Sequence, residues 1–365
     1  MAAGSDEATQ APPRERVKDV VQYLRAVKRF WPDGSRTHVT SLDFDDTGEL
    51  AILSRSDDTI QIYNIKEGKH AKELKSQKYG VDLVRFSHHS QSIIHASTKI
   101  DDTIRYLSTH DNSYMRYFRG HEGRVTSLSM CPSKDEFLSC SEDGTMRLWS
   151  IQSQNAKGVL KLHGAHLGAY DPSASVIACA SGLTQSILLY DLRNFDKQPF
   201  ATFDLDSMIS RFDPSGAGRN WTSLSFSNDG KSIMLGTSGA GHFVLDGFEG
   251  SLRHFLKRRG PSQRRAPGEL GSTATPGQGD VCFSPDGQFV LGGSGSDDGV
   301  SVWDIRGADD PERELKPVAQ LPFPDAKKDR VEIAVYNPRF NMLCTADRAV
   351  SMWVPDKELY GKPSS

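Results

Sequence analysis

Several short motifs in this 365-residue chain contain residue types that do chemistry in other proteins. Gly230-Lys231-Ser232 resembles the end of a phosphate-binding loop, but the glycine that such a loop needs five positions before Gly230 is Ser225. His88-His89 lacks a third metal ligand at a suitable spacing, and adjacent side chains on a strand point to opposite faces. These motifs therefore predict neither a nucleotide site nor a metal site.

The cysteines are the next candidates for metal binding, redox chemistry or nucleophilic attack. Their count is odd, no two are two or three residues apart, and they are Cys131, Cys140, Cys179, Cys282 and Cys344. This spacing fits no zinc site, redox pair or disulfide framework. We expect small buried side chains in a reducing compartment, and we predict no catalytic residue, no metal and no cofactor.

The acidic pairs Asp57-Asp58, Asp101-Asp102 and Asp297-Asp298 recur in register with a longer repeat, which favours a role in turns rather than in catalysis. In the repeat, a polar turn is followed by an apolar residue and then, three positions later, by an aromatic residue or leucine. The last residues of the seven copies are Tyr63, Leu107, Trp149, Tyr190, Leu245, Trp303 and Trp353. The period is about 40–45 residues and lengthens in the second half, which is typical of WD40 repeats.

Each copy also contains short β-rich segments separated by turn residues, which predicts four strands per copy. The sequence therefore predicts an all-β fold, a seven-bladed WD40 β-propeller, with no helix except near residues 14–20. Because too few residues follow Trp353 for a fourth strand, we expect residues 20–30 to supply the outer strand of the last blade. The predicted organisation is a disordered tail at 1–15, a propeller at 16–358 and a C-terminal tail at 359–365.

The third copy is the most regular, and in such repeats His, Ser or Thr, Asp and Trp form a buried hydrogen-bond chain. Here the chain would comprise His121, Ser139 or Ser141, Asp143 and Trp149. We interpret these residues as structural rather than catalytic.

Three insertions account for the longer repeats. Residues 206–220 separate the fourth and fifth blades, residues 258–280 are predicted to be a flexible basic insertion, and residues 306–317 an acidic surface loop. The cations at the start of the basic insertion are Lys257, Arg258, Arg259, Arg264 and Arg265. They could form a nuclear-localisation signal or a nucleic-acid contact, or they could simply be solvated.

Charge and hydropathy exclude several classes of function. Lysine and arginine number 44 and aspartate and glutamate 47, giving a net charge of −3, which argues against a globally basic nucleic-acid-binding protein. No apolar run approaches the roughly 18 residues of a membrane-spanning helix, and residues 1–13 lack the features of a signal peptide. We expect an intracellular protein with no membrane partner and no small-molecule substrate, for which direct nucleic-acid binding is disfavoured.

One stretch is more specific than a general WD40 repeat. It contains Lys78-Tyr79-Gly80-Val81-Asp82-Leu83-Val84-Arg85-Phe86, then residues 97–108, His110-Asp111-Asn112 and residues 114–118. It resembles the WD-repeat subunit of COMPASS, the SET-domain histone H3 lysine-4 methyltransferase complex, and the resemblance extends from about Tyr23 to Trp353. In many eukaryotes that subunit also serves complexes for RNA 3′-end processing and transcription termination.

The resemblance implies a non-catalytic nuclear scaffold whose partners are a SET-domain methyltransferase and other COMPASS subunits. It also implies partners among cleavage and polyadenylation factors, and a phosphorylated RNA polymerase II tail. Four cations near blade ends could contact phosphate: Lys78, Lys99, Arg124 and Arg211. A strip on an outer strand could add a docking edge, namely Tyr114, Arg116, Tyr117 and Arg119. The alternative is a substrate-adaptor propeller of another complex, such as a ubiquitin ligase.

Overall fold

Short antiparallel strands follow one another along almost the whole chain in a computed structural model. The model describes residues 15–32, 37–164, 166–260, 279–293, 299–307, 314–324 and 330–360. In these residues the strands form seven sheets, each containing four antiparallel strands. The predicted seven-bladed propeller is confirmed.

The first outer strand in the chain, β1 (Leu24–Phe30), precedes the first complete blade. Blade one contains β2–β5, at Val39–Phe44, Leu50–Arg55, Thr59–Asn64 and Lys69–Lys75. Blade two contains β6–β9, at Asp82–Phe86, Ser92–Ala96, Ile104–Ser108 and Tyr114–Phe118. Blade three contains β10–β13, at Val125–Met130, Glu136–Ser141, Thr145–Ser150 and Gly158–Lys161. Blade four contains β14–β17, at Leu167–Tyr170, Val176–Ser181, Ser186–Asp191 and Ala201–Asp204.

The later blades have longer connections. Blade five contains β18–β21, at Trp221–Phe226, Ser232–Thr237, Gly241–Asp246 and Leu252–Lys257. Blade six contains β22–β24, at Val281–Phe283, Phe289–Gly293 and Val300–Asp304, and then, after β25 (Glu314–Leu315), β26 (Ala319–Leu321). Blade seven contains β27–β29, at Ile333–Tyr336, Leu343–Ala346 and Val350–Pro355.

The hydrophobic core lies between neighbouring blades. One cluster joins Leu189 of blade four to Phe243 of blade five, and another joins Phe118 of blade two to Trp149 of blade three. The inner strands are apolar on both faces because each face packs against a neighbour; all five residues of β7 are buried. The last residue of every repeat copy lies in the third strand of its blade and is at most 7% exposed.

The ring closes through the N-terminal strand. β1 pairs antiparallel with β29, from Leu24 opposite Pro355 to Phe30 opposite Val350, with a bulge between Ala26 and Lys28. Leu24 is fully buried, whereas Val27 at the bulge is 62% exposed. The first and last strands of the described residues therefore lie in one blade.

The helices only partly match the prediction. α1 (Val17–Val20) lies in the region where a helix was expected, and α3 (Lys357–Tyr360) follows the last strand. The prediction of no other helix was wrong, because α2 (Asp206–Phe212) fills part of the 206–220 insertion and buries Ile209 against blades four and five. Three short 3₁₀ helices lie at Val21–Tyr23, Leu192–Asn194 and Ala217–Arg219.

The acidic 306–317 segment also differs from a plain surface loop. Glu314 and Leu315 form β25, which pairs in parallel with β21 and adds a fifth strand to blade five. Lys257 donates to Glu314 at an Nζ–Oε2 distance of 2.6 Å, and Leu315 packs against the core of blades five and six. These two residues therefore cover part of the outer edge of blade five.

Candidate functional site

Blade three contains a continuous hydrogen-bond chain. His121 Nδ1 lies 2.9 Å from Asp143 Oδ2, and His121 Nε2 lies 2.7 Å from Ser139 Oγ. Trp149 Nε1 donates to the same Ser139 oxygen at 2.8 Å. Ser141 lies outside the chain, because its hydroxyl donates to the Gly123 carbonyl. Of the two predicted serines, Ser139 is thus the one that joins histidine to tryptophan.

The protonation state of this chain follows from its partners. Burial lowers the pKa of His121 despite the opposing effect of Asp143, so the ring is neutral at neutral pH. With the proton on Nδ1, the ring donates to Asp143 and accepts from the Ser139 hydroxyl, and every group has a partner. Burial opposes ionisation of Asp143, but hydrogen bonds from Thr145 and His121 outweigh it and lower its pKa to about 2. The arrangement is fully satisfied and holds the blade together.

The recurring aspartates act within turns. Asp57 accepts from the Thr59 amide, and Asp143 accepts from the Thr145 amide at 2.8 Å. In blade two, Asp101 accepts from the amide two residues later in the same way, at 3.2 Å. The Asp297-Asp298 pair lies outside the described residues.

The loops at one end of blade two bring several predicted contact residues together. Because the strands of a blade are antiparallel, the loop before the first strand and the loop between the second and third strands lie at the same end. We call this end the upper face. Lys78 precedes β6, Lys99 lies between β7 and β8, and Arg119 directly follows β9.

On the upper face, cations and tyrosine rings alternate. Lys78 Nζ lies 5.0 Å from the centroid of Tyr79, and the Arg105 guanidinium lies 3.8 Å from the same centroid. Arg105 is also 5.6 Å from the centroid of Tyr117, whose ring is 5.4 Å from the Arg119 guanidinium. We call this series, from Lys78 through Tyr79, Arg105 and Tyr117 to Arg119, the cation–tyrosine ladder.

The centre of the ladder is rigid. Arg105 is 2% exposed and binds both carboxylate oxygens of Asp101, at 2.9 and 3.1 Å. Although partial burial opposes it, the hydrogen bonding to Arg105 lowers the pKa of Asp101 below its usual value. Aromatic cages bind methylated ammonium groups by placing the cation against the ring faces. Here Arg105 itself takes that position between Tyr79 and Tyr117, so these two rings do not form an open cage.

The ends of the ladder are different. Lys78 and Arg119 are both exposed, and neither forms an ion pair within the described part of the chain. Lys99, by contrast, pairs with Asp58 of blade one, and Arg124 Nη2 lies 3.0 Å from Asp82. Of the four cations predicted to contact phosphate, these two are therefore already compensated by carboxylates.

The fourth, Arg211, is separate from the other three. It lies in the last turn of α2, in the insertion between blades four and five, with its guanidinium 5.3 Å from the Phe212 ring. The structure thus does not bring the four predicted cations into one cluster.

Only part of the predicted docking strip on and just after β9 is free to contact a partner. The Tyr114 hydroxyl lies 3.1 Å from Ser76 Oγ, and its ring contacts Tyr79 edge-on. Arg116 donates to the Ile151 carbonyl of blade three. These two side chains link neighbouring blades, whereas Tyr117 and Arg119 belong to the ladder.

The basic insertion begins inside the fold rather than on its surface. Arg258 is 3% exposed; its Nη2 lies 2.6 Å from Asp280 Oδ2, and its Nη1 donates to the Gly239 carbonyl at 2.7 Å. Arg258 therefore does not belong to an exposed patch, because its charge is buried and paired. Lys257 is paired with Glu314, Arg259 is exposed, and Arg264 and Arg265 lie outside the described residues.

Sequence reasoning did not identify Tyr79 and Arg105 as members of one arrangement. Arg105 occupies the same repeat position as Arg147 of blade three, within a strand whose neighbouring positions are apolar. A buried arginine needs a charged partner, and Asp101 four residues earlier was a visible candidate. The ring partners could not be found in this way, because Tyr79 and Tyr117 come from positions 38 residues apart.

In the described segments, no group of three His, Cys, Asp or Glu side chains is arranged to hold a metal ion. The cysteines are free thiols; four are buried and Cys282 is partly buried. None of the helices in the described ranges is long and apolar enough to cross a membrane.

Comparisons with known proteins agree with this architecture. The family described as "WD domain, G-beta repeat" matches residues 112–150 and 275–304, in blades two, three and six. "WD repeat-containing protein 82" of Drosophila melanogaster is 37% identical over 343 residues, covering 94% of this chain and 98% of the relative.

Two fungal relatives match over similar lengths. "Set1 complex component swd2" of Schizosaccharomyces pombe is 34% identical, covering 86% of this chain and 92% of the relative. "COMPASS component SWD2" of Saccharomyces cerevisiae is 32% identical, covering 92% of this chain and 96% of the relative. By this relationship the chain is a non-catalytic propeller. It belongs to the family of WD-repeat proteins that includes the Set1 complex and COMPASS components of the two yeasts.

Proposed function

We propose that this chain is a WD-repeat scaffold subunit of a nuclear COMPASS-type complex that contains a SET-domain histone H3 lysine-4 methyltransferase. The observation that carries the proposal is the end-to-end similarity to relatives named as Set1 complex and COMPASS components. The ring supports it physically, because blades packed face to face present many loops on one rigid body.

The proposal is tested by purifying the tagged full-length protein from nuclear extract and measuring partner stoichiometry by mass spectrometry. We expect a SET-domain methyltransferase at close to one copy per tagged chain, retained through a sizing column. A tag-only sample controls for background. Recovery of cullin-linked proteins, or of no stoichiometric partner, would favour the alternative of an adaptor propeller.

We further propose that the chain acts in mRNA 3′-end processing and transcription termination by binding the phosphorylated tail of RNA polymerase II. The support comes from the two ends of the cation–tyrosine ladder, Lys78 and Arg119. Both are exposed and unpaired within the described residues, and they flank tyrosine rings held in place by Arg105. Exposed cations can bind phosphate oxygens, and the adjacent tyrosine rings offer an aromatic surface for the rest of a peptide. This combination suits a phosphorylated peptide.

This second role is tested with fluorescent tail peptides, with and without phosphoserine, titrated against the full-length protein. We expect the phosphorylated peptide to bind more tightly, and affinity to fall with added salt. The double variant Lys78→Glu/Arg119→Glu should weaken binding at least ten-fold. Arg211→Glu is the matched control, since it makes the same type of charge reversal on α2.

Equal losses in the ladder variant and the Arg211→Glu control would contradict a ladder site. Binding that is the same with and without phosphoserine would contradict phosphate recognition altogether. Purification from cells provides a separate check, because the proposal predicts that cleavage and polyadenylation factors are recovered with the tagged chain.

A further inference from the structure

An isoleucine projects from the upper face of blade two, beside the ladder. Ile100 is 74% exposed, although isoleucine is one of the residues most often buried. Its φ angle is +69°, in the left-handed region, where β-branched side chains are rare outliers. It is the one β-branched residue with positive φ among the described residues.

The loop around Ile100 is held in this conformation by contacts on both sides. The Thr98 and Lys99 amides both donate to the Tyr79 carbonyl, at 3.0 and 2.9 Å. The Asp101 amide donates to the Lys99 carbonyl at 2.8 Å, and the Asp101 side chain is bound by Arg105. The strained backbone is thus fixed by the same residues that form the centre of the ladder.

Neither feature of Ile100 helps the isolated chain to fold. Left-handed backbone at a branched residue costs free energy, and an exposed aliphatic side chain gains little from burial. A strained backbone that the surrounding hydrogen bonds hold in place is characteristic of ligand-binding positions, and here it presents an exposed aliphatic side chain. The exposed side chains at the two ends of the ladder, Lys78 and Arg119, are both cations, so a ligand that contacts them should be acidic.

We propose that Ile100 is a specificity-determining contact for an acidic, serine-phosphorylated peptide, packing against an apolar residue next to a phosphate held at one end of the ladder, by Lys78 or by Arg119. This inference rests on the proposed binding of the phosphorylated tail to the ladder. The affinity for the peptide then has two separate contributions. The ladder ends bind the phosphate, and Ile100 packs against the apolar residue.

The test uses Ile100→Gly and Ile100→Asn in the full-length protein. Both residues tolerate left-handed backbone, so the melting temperature should stay the same or rise. Affinity for the phosphorylated peptide should fall about ten-fold, the effect of losing one partly buried aliphatic contact. Competition with inorganic phosphate tests the ladder separately. The dissociation constant of inorganic phosphate, obtained from the concentration that displaces the bound peptide, should be the same in both Ile100 variants as in wild type.

Leu183→Gly is the matched control, because Leu183 is a 75% exposed aliphatic residue in the corresponding loop of blade four. It should leave peptide affinity within two-fold of wild type. Unchanged affinity in both Ile100 variants would overturn the inference while leaving the ladder proposal intact. A fall in melting temperature together with lost binding would also overturn it, since Ile100 would then stabilise its own loop. Failure of the wild-type protein to bind the phosphorylated peptide would remove the proposed function itself.

Discussion

Arg258 and Asp280 form a buried ion pair that joins the two ends of the basic insertion. Their side chains are 0% and 4% exposed, and the Nη2–Oδ2 distance is 2.6 Å. Arg258 directly follows β21, the fourth strand of blade five, and Asp280 directly precedes β22, the first strand of blade six. Whatever path residues 259–279 take, their entry and exit points are fixed to each other.

Arg258→Met should destabilise the protein by about 3 kcal/mol, because it leaves the Asp280 carboxylate buried without its arginine. Urea unfolding followed by tryptophan fluorescence gives the free energy of unfolding. Arg259→Met is the control, since Arg259 is adjacent but exposed and should change stability by less than about 0.5 kcal/mol. Equal stability of the two variants would show that the ion pair does not hold the ends of the insertion.

Ser139→Ala should lower the free energy of unfolding by about 2–3 kcal/mol. The reason is that both Trp149 Nε1, in a fully buried side chain, and His121 Nε2 lose their partner. Ser141→Ala removes a hydroxyl of the same strand that donates to the Gly123 carbonyl and accepts from the Asp143 amide. Because both of its partners are backbone groups, this loss should cost about 1–2 kcal/mol. The same urea experiment compares the two, and a larger loss for Ser141→Ala would contradict the role given to Ser139.

His88 predicts a pH dependence of stability. Its Nδ1 lies 2.8 Å from Asp46 Oδ2 and its Nε2 lies 2.9 Å from the Cys131 carbonyl, so both ring nitrogens face acceptors. Partial burial would lower the pKa of His88, but hydrogen bonding to Asp46 and Cys131 outweighs it and raises the pKa above 6.5. The charged ring links the lower loops of blades one, two and three.

Because the folded pKa is raised, the stabilisation from His88 is complete below pH 6.5 and is lost as pH rises through the folded value. The melting temperature of wild type should therefore exceed that of His88→Gln more at pH 6 than at pH 8.5. His89→Gln should show no such change, since His89 has no ring contact of this type in the described structure. A difference that grows with pH would contradict the assignment.

Leu24→Ala should destabilise the protein by about 2–5 kcal/mol, because Leu24 is fully buried where β1 closes blade seven. Val27→Ala is the control in the same strand, since Val27 is 62% exposed at the bulge and should change stability by less than about 0.5 kcal/mol. Thermal unfolding distinguishes them. Similar small effects would mean that β1 adds little to ring closure.

The propeller could be predicted from the sequence because its signals are repeated. Trp149 alone indicates little, but seven aromatic or leucine residues at the same place in successive copies indicate seven equivalent strands, and the structure buries each of them in a third strand. The closing strand β1 could be predicted by counting strands. The sequence indicated three strands in the last blade, so the fourth had to come from another part of the chain. Both predictions depend only on the local residue pattern and on the number of repeat copies and strands, and a single sequence is enough to show these.

The ladder and the Arg258–Asp280 pair could not be predicted in that way. A side chain's partner is set by tertiary packing, and Asp280 is separated from Arg258 by an insertion that gives no hint of their meeting. Lys99 and Arg124 were predicted to contact phosphate because they fall in or near turns at blade ends. Their carboxylate partners come from elsewhere in the chain, Asp58 from a turn of blade one and Asp82 from the start of β6. The helix α2 was missed because seven residues give too little periodicity to identify a helix.

The closure of blade seven has a consequence for synthesis of the chain. Leu24 leaves the ribosome long before its opposite residue, Pro355, because almost all the other strands lie between them in the chain. Six blades can be completed from strands that have already emerged, whereas β1 can pair only after β29 has been made. The seventh blade is therefore the last blade that the growing chain can complete, and chaperones have the longest time to act on its first-made strand.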